Sequence, residues 1–274
     1  IDDLAIGADQ EQTNGDAHAG AVYLIRGGDW LLTATDIDLA DFGTVAAGKI
    51  ARIKPRPIAV DDNTDEYHFG ATLQLADLDG NNKAELIAAA TLNRSGAAQR
   101  PVGGVAHSSG GTTHGTVYIA WDDNFGGDWT PAPDFVIGAG SGSYSIINGS
   151  SNRAENPGPQ NISFGEEILG GLDYDNNGAT DLFVGDLTAG GYGNVSRSLA
   201  GLAHVIYDAE DTLKDKEIEL DSPPEGFNMA TFLGPKSGAI AGDTALHGDF
   251  NDDGIADLAF SSPMDSPQGV TNAA

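Results

Sequence analysis

Oxygen-bearing side chains fall at positions one, three, five and nine of the stretch 173–181, which reads D-Y-D-N-N-G-A-T-D. They are Asp173, Asp175, Asn177 and Asp181. Gly178 stands at position six, where the chain turns back on itself and a residue without a Cβ costs least. A hard divalent cation, Ca2+ above all, takes roughly six to eight oxygens at about 2.3–2.6 Å, part carboxylate and part backbone carbonyl. Alternate side chains of a tight loop can supply them, and the carbonyl of Ala179, at position seven, is the expected additional ligand. The pattern returns over 249–257, with Asp249, Asn251, Asp253, the carbonyl of Ile255, and Asp257 in the same places and Gly254 at position six. It returns with two departures over 77–85, through Asp77, Asp79, Asn81, the carbonyl of Lys83, and Glu85. There Asn82 replaces the glycine, a tolerable exchange because Asn enters left-handed backbone more readily than most residues. Residues 1–8 align with 255–262, so the chain opens inside a fourth copy in which Asp3 is the last ligand. The expectation is three full Ca2+ sites and one partial site at the N-terminus.

These loops need a particular framework. An EF-hand loop begins in the same way, but its last ligand comes three residues later and helices flank it. Here the apolar runs Leu182-Phe183-Val184 and Leu258-Ala259-Phe260 follow at once, so each loop is expected to join two strands. First strands, leading in, are read at 71–76, 167–172 and 244–248. Second strands, leading out, are read at 4–7, 86–89, 182–185 and 258–261; they are short and rich in small residues, as strands buried on both faces are. Third strands alternate at 20–25, 115–120 and 201–207 and are expected to be covered on one face. Less regular fourth strands fall near 49–53, 135–137 and 218–220. Gly27-Gly28-Asp29-Trp30 and Gly126-Gly127-Asp128-Trp129 both follow a third strand, a second echo of the repeat. The last-ligand positions are 82, 96 and 76 residues apart, one structural unit with loops of variable length. The approximate repeats are 1–62 (partial), 63–158, 159–236 and 237–274 (partial). Four-stranded units repeated in this way form a β-propeller.

Other chemistry finds little support. No Ser sits in a G-x-S-x-G elbow and no glycine run has Walker or dinucleotide spacing. Every conspicuous carboxylate pair is already accounted for as a metal ligand, which leaves none for acid–base catalysis. His107 and His114 lie in a Gly/Ser-rich loop, His204 reads as a packed strand residue, and His18, His68 and His247 lie near turns. Trp30, Trp129 and Tyr144 could stack on sugars but read more simply as packing. Asn93, Asn148, Asn161 and Asn194 head N-x-S sequons, all expected in loops. The formal charge of −28, from 41 acidic against 13 basic residues, argues against nucleic-acid or anionic-membrane partners. With no Cys there is neither disulfide nor thiol chemistry. No apolar run approaches the roughly 20 residues of a membrane helix, so membrane insertion is not expected.

Phe69-Gly70 and Phe164-Gly165 precede their metal loops by a few residues, and Ile6-Gly7-Ala8 and Ser261-Ser262-Pro263 follow theirs. With the loops, these residues resemble the FG-GAP repeats of integrin α-subunit propellers and their bacterial relatives. The chain departs from the pattern at Ala241-Gly242 in place of Phe-Gly, and at Ala88-Ala89-Ala90 and Gly185-Asp186 in place of Gly-Ala-Pro. The resemblance implies an all-β propeller with Ca2+ in hairpin loops on one face and partner binding on the other. With three first and four second strands, the chain is expected to be a segment of about three to four blades, part of a longer propeller or array. The expected function is an extracellular or cell-surface adhesion or ligand-binding module with structural Ca2+, its partner a protein or a glycan. The alternatives are a self-associating subunit of a surface layer or filament, and a polysaccharide lyase, for which 13 Lys and Arg leave few cations to build a cleft.

Overall fold

Strands follow each metal-type loop directly, and no helix does. The computed structural model describes residues 2–12, 19–34, 36–45, 48–55, 68–91, 101–102, 105–106, 115–126, 134–137, 142–150, 164–192 and 195–265. The first sheet contains β1 (Leu4–Ala8), β2 (Ala21–Ile25) and, after the short helix α1 (Phe42–Val45), β3 (Ile50–Lys54). The second contains β4 (Phe69–Ala76) and β5 (Glu85–Ala90), joined by the loop 77–84. After the small hairpin β6 (Pro101–Val102) and β7 (Val105–Ala106) comes β8 (Thr116–Ala120). The chain then makes β9 (Asp134–Val136) and returns as β10 (Tyr144–Asn148). The third sheet contains β11 (Phe164–Leu172) and β12 (Asp181–Asp186), then a hairpin of β13 (Gly191–Tyr192) and β14 (Val195–Ser196), then β15 (Leu202–Ile206). Helix α2 (Ala209–Leu213) and β16 (Glu217–Glu219) precede β17 (Met229–Leu233), and the hairpin β18 (Ala245–Gly248)–β19 (Asp257–Phe260) follows.

Neighbours within each of the larger sheets pair antiparallel in chain order, except at the outer edge of the first two sheets. β9 pairs parallel with β3 of the first sheet, and β16 pairs parallel with β10 of the second. The expectation that 135–137 and 218–220 are fourth strands of their own units is therefore corrected. The fourth strands are β10 and β17, and the two expected segments close the edge of the preceding sheet instead. Side chains fix this crossing: Arg52 holds both oxygens of Asp134 at 2.7 and 2.9 Å, and Lys54 reaches the same carboxylate at 3.1 Å.

The sheets pack face to face, and alternation along one strand serves two cores. Leu86, Ala88 and Ala90 of β5 meet Val22, Leu24 and Ile53 of the first sheet. Ile87 and Ala89 of the same strand meet Ile168, Leu182 and Val184 of the third. Covered on both sides, β2, β8 and β15 are buried at every residue, so third strands are not half-exposed as their alternation suggested. Residues of β11, β12 and β15 pack in turn on Ala245, Leu258 and Phe260 of the last hairpin.

The Phe-Gly pairs mark where consecutive sheets touch most closely. Phe69 and Phe164 are fully buried. Gly70 and Gly165 both take φ +90°, and the pairing register shifts just after them, as a bulge requires. A Cβ on Gly165 would come within 2.7 Å of the Ala89 methyl in the preceding sheet. Ala241-Gly242 takes the same role despite its lost phenylalanine: Gly242 has φ +89°, and its carbonyl lies 2.3 Å from where a Cβ on Gly185 would be. Small residues in second strands are thus the counterpart of glycines in the next first strand.

Candidate metal centres

The three loops share one internal geometry. In 173–181, Asp173 accepts from the backbone N–H groups of Asn177 (3.1 Å) and Gly178 (2.7 Å) through its two oxygens. Asn177 Oδ1 accepts from Ala179 N–H at 2.8 Å, and Asp181 Oδ2 from Tyr174 N–H at 2.7 Å. The same bonds recur in 77–85: Asp77 with Asn81 and Asn82, Asn81 with Lys83, and Glu85 with Leu78. They recur in 249–257 as well: Asp249 with Asp253 and Gly254, Asp253 with Ile255, and Asp257 with Phe250. Positions four and six are left-handed in every copy, at Gly80 and Asn82, Asn176 and Gly178, and Asp252 and Gly254. The glycine that Asn82 replaces is offset by Gly80 two residues earlier. Backbone N–H groups aimed at the first carboxylate favour its ionised form, and Asp173 and Asp249 lie below the usual carboxylate range.

In two loops the carboxylates converge. Ligand oxygens of Asp77, Asp79 and Glu85 all lie within 4.8 Å of one another, and so do those of Asp173, Asp175 and Asp181. Glu85 and Asp181 are fully buried. Burial, with the charge of Asp79 added, pushes Glu85 up to about 7; burial and the charges of Asp175 and Asp173 raise Asp181 too. The backbone N–H groups of Leu78 and Asp122 face the buried carboxylate of Glu85, and its Oε1 makes no hydrogen bond of ordinary geometry. A buried carboxylate beside two further carboxylates is costly by itself, and a hard cation is the natural complement. The donor set, all oxygen with backbone carbonyls at hand, therefore fits Ca2+ or a similar ion. In the third loop the acids stand at positions one, five and nine, and Asp249, Asp253 and Asp257 do not converge to the same degree. Asp3 is exposed, and its Oδ1 accepts from Gly27 N–H at 2.7 Å.

Asp122 and Asp208 complete the two converged loops and were not singled out from sequence. Each lies two residues beyond the third strand of its sheet. Asp208 donates its N–H to Asp181 Oδ1 at 3.0 Å and accepts from Asn177 Nδ2 at 2.7 Å. Asp122 accepts from Asn81 Nδ2 at 3.0 Å and from Lys83 Nζ at 2.8 Å. Gly27 occupies the same place behind β2 and makes the same backbone bond to Asp3. An aromatic–aspartate pair closing the third strand, Trp121-Asp122 and Tyr207-Asp208, was the available signal. Thr180 also ties the loops together, its hydroxyl donating to the carbonyl of Leu78 at 2.7 Å.

Other residues singled out from sequence have structural surroundings. His204 is buried against Phe164 with Nδ1 on Thr231 Oγ1 at 3.0 Å. Trp30 and Tyr144 pack on the hydrophobic clusters of the first and second sheets. Asn148 is not in a loop but ends β10, buried, bonded to Thr116 and Glu219; this sequon is unavailable to a glycan. Asn93, Asn161, Asn194, Trp129, His18, His107 and His114 lie outside the described residues. No protein-family model matches the chain, and no curated protein matches it.

Proposed function

We propose that this chain is a segment of a Ca2+-stabilised β-propeller of the FG-GAP type, acting outside the cell or at its surface as a binding or adhesion module. The observation that carries the reading is the fully buried carboxylate of Glu85 set among converging carboxylates, in a loop whose backbone geometry the chain repeats. The four consecutive sheets support the propeller: the close-contact glycines recur at each junction, as a radial array of like blades requires. The ions act structurally. Each neutralises repulsion among the carboxylates of its loop, and through Asp181 and Asp208 it fastens the first hairpin of a blade to the third strand.

Extracellular Ca2+ modules have Kd near roughly 10⁻⁴–10⁻³ M, so at millimolar Ca2+ each site contributes about 0.4–1.4 kcal/mol. Several sites together are then comparable with a sizeable part of a domain's stability. A chain of charge −28 suits an exterior rich in Ca2+. The partner, a protein or a glycan, would be met by the connections 91–116 and 188–199 and by the parts of 138–162 that flank β10, much of which lies outside the described residues. Among the described residues, no helix is long and apolar enough to cross a membrane. The test is a thermal melt in excess chelator and again in millimolar Ca2+. The reading requires a lower Tm in chelator that Ca2+ restores and Mg2+ restores poorly; the same Tm in all three conditions overturns it.

A further inference from the structure

Lys214 comes from the third sheet's segment but ends at the first loop. It follows α2, and its Nζ lies 3.3 Å from Asp79 Oδ2, with the Asp79 side chain only 6% exposed. The ammonium is also 3.2 Å from Glu210, 3.8 Å from Asp123 and 5.0 Å from the centroid of the Trp121 ring. Its base is held in place. Leu213 is fully buried, and its carbonyl accepts from Ser145 Oγ at 2.6 Å. Ser145 in turn accepts from Trp121 Nε1 at 2.8 Å. Lys83 adds a second positive charge beside the same loop through Asp122. The second loop differs: among the described residues, no lysine or arginine pairs with Asp173, Asp175 or Asp181.

We propose that Lys214 is a tethered competing cation that makes the Asp77–Asp79–Glu85 site the weaker of the two converged sites, so that the second loop loads first. The proposal rests on the reading of both loops as divalent-cation sites. An ion that takes Asp79 must displace the ammonium or share its carboxylate with it, and like charges at such range repel. Glu210 and Asp123 give the displaced ammonium somewhere to go, so the site is weakened but not closed. Loading of the first loop then frees Lys214 from the adjoining sheet, which links the site's occupancy to how firmly α2 is held.

Each loop carries its own reporter, the backbone amide of Gly80 or of Gly178. The experiment is a Ca2+ titration of the full chain followed by these two amides in ¹H–¹⁵N spectra, on the wild type and on Lys214→Gln, Lys214→Met and Lys214→Arg. In the wild type, Gly178 is expected to shift at lower Ca2+ than Gly80. In Lys214→Gln and Lys214→Met, the Gly80 midpoint is expected to fall about ten-fold with Gly178 unmoved, a size common for groups bordering metal ligands. Lys214→Arg keeps the charge and is expected to keep the wild-type midpoint, which a merely packing role for the side chain would not predict. A Gly80 midpoint that is unchanged in both neutral variants, or that precedes Gly178 in the wild type, overturns the proposal and leaves the cation sites standing. If neither amide responds to Ca2+, the cation reading fails and the proposal with it. Met keeps an unbranched apolar side chain of similar length, so that arm stands if Lys214→Gln does not fold.

Discussion

The loops 173–181 and 249–257 both match the metal-ligand pattern at every position, and both make the same internal hydrogen bonds. They differ in what lies beside them. Asp181 is fully buried and takes a second N–H from Asp208, beyond the third strand β15. Asp257 is half-buried and takes only the N–H of Phe250 among the bonds seen in its hairpin. Among the described residues, no third strand follows β19. The loop sequence alone sets the backbone path and the first carboxylate. The neighbouring strand brings the last carboxylate inward.

The largest expected effect separates the two last carboxylates. In millimolar Ca2+, Asp181→Ala leaves two backbone donors without their charged acceptor and should cost roughly 3–4 kcal/mol in urea unfolding. Asp257→Ala, in the more open loop, should cost about 1 kcal/mol. Equal costs would break the comparison.

The strand that makes the difference can be probed by pH. Burial lowers His204 in β15 to about 4 from an ordinary 6.5, so the folded state holds it neutral. Its folded value is depressed, so stability is undiminished above pH 6.5 and drains away as pH falls towards 4, by about 3 kcal/mol at the lower end. His204→Gln should flatten that part of the acid unfolding profile. A profile identical to the wild type would mean that β15 opens readily and cannot be what seals the second loop.

A smaller effect is expected at Asp208, which has φ +53° and so accepts glycine without strain. Asp208→Gly should weaken Ca2+ at the second loop about ten-fold, read from the Gly178 amide, and leave the third loop's Gly254 unmoved. A parallel shift of both amides would contradict a local role.

The strands flanking each loop were legible because short apolar runs and glycine punctuation are local signals. First, second and third strands lie within a few residues of their expected bounds. The left-handed turn at Asn82 was legible from residue type alone, and φ is +65° there. The pairing of β9 with β3 and of β16 with β10 was not. A parallel pairing between segments about seventy to eighty residues apart leaves no turn signature, and Arg52 and Asp134 are ordinary surface residues until the fold joins them. Third strands read as half-exposed because alternation does not reveal that a second sheet will cover the other face. The charge of Lys214 at the first loop was equally hidden, since it arrives from the following unit.

The claim at the centre of this account is that the converged loops hold cations, and anomalous diffraction tests it most directly. Crystals of the full chain grown with Ca2+ and exchanged with a lanthanide should show one strong anomalous peak among Asp77, Asp79 and Glu85 and another among Asp173, Asp175 and Asp181. Maps with no peak at either triad, at lanthanide concentrations that saturate ordinary Ca2+ modules, would contradict it.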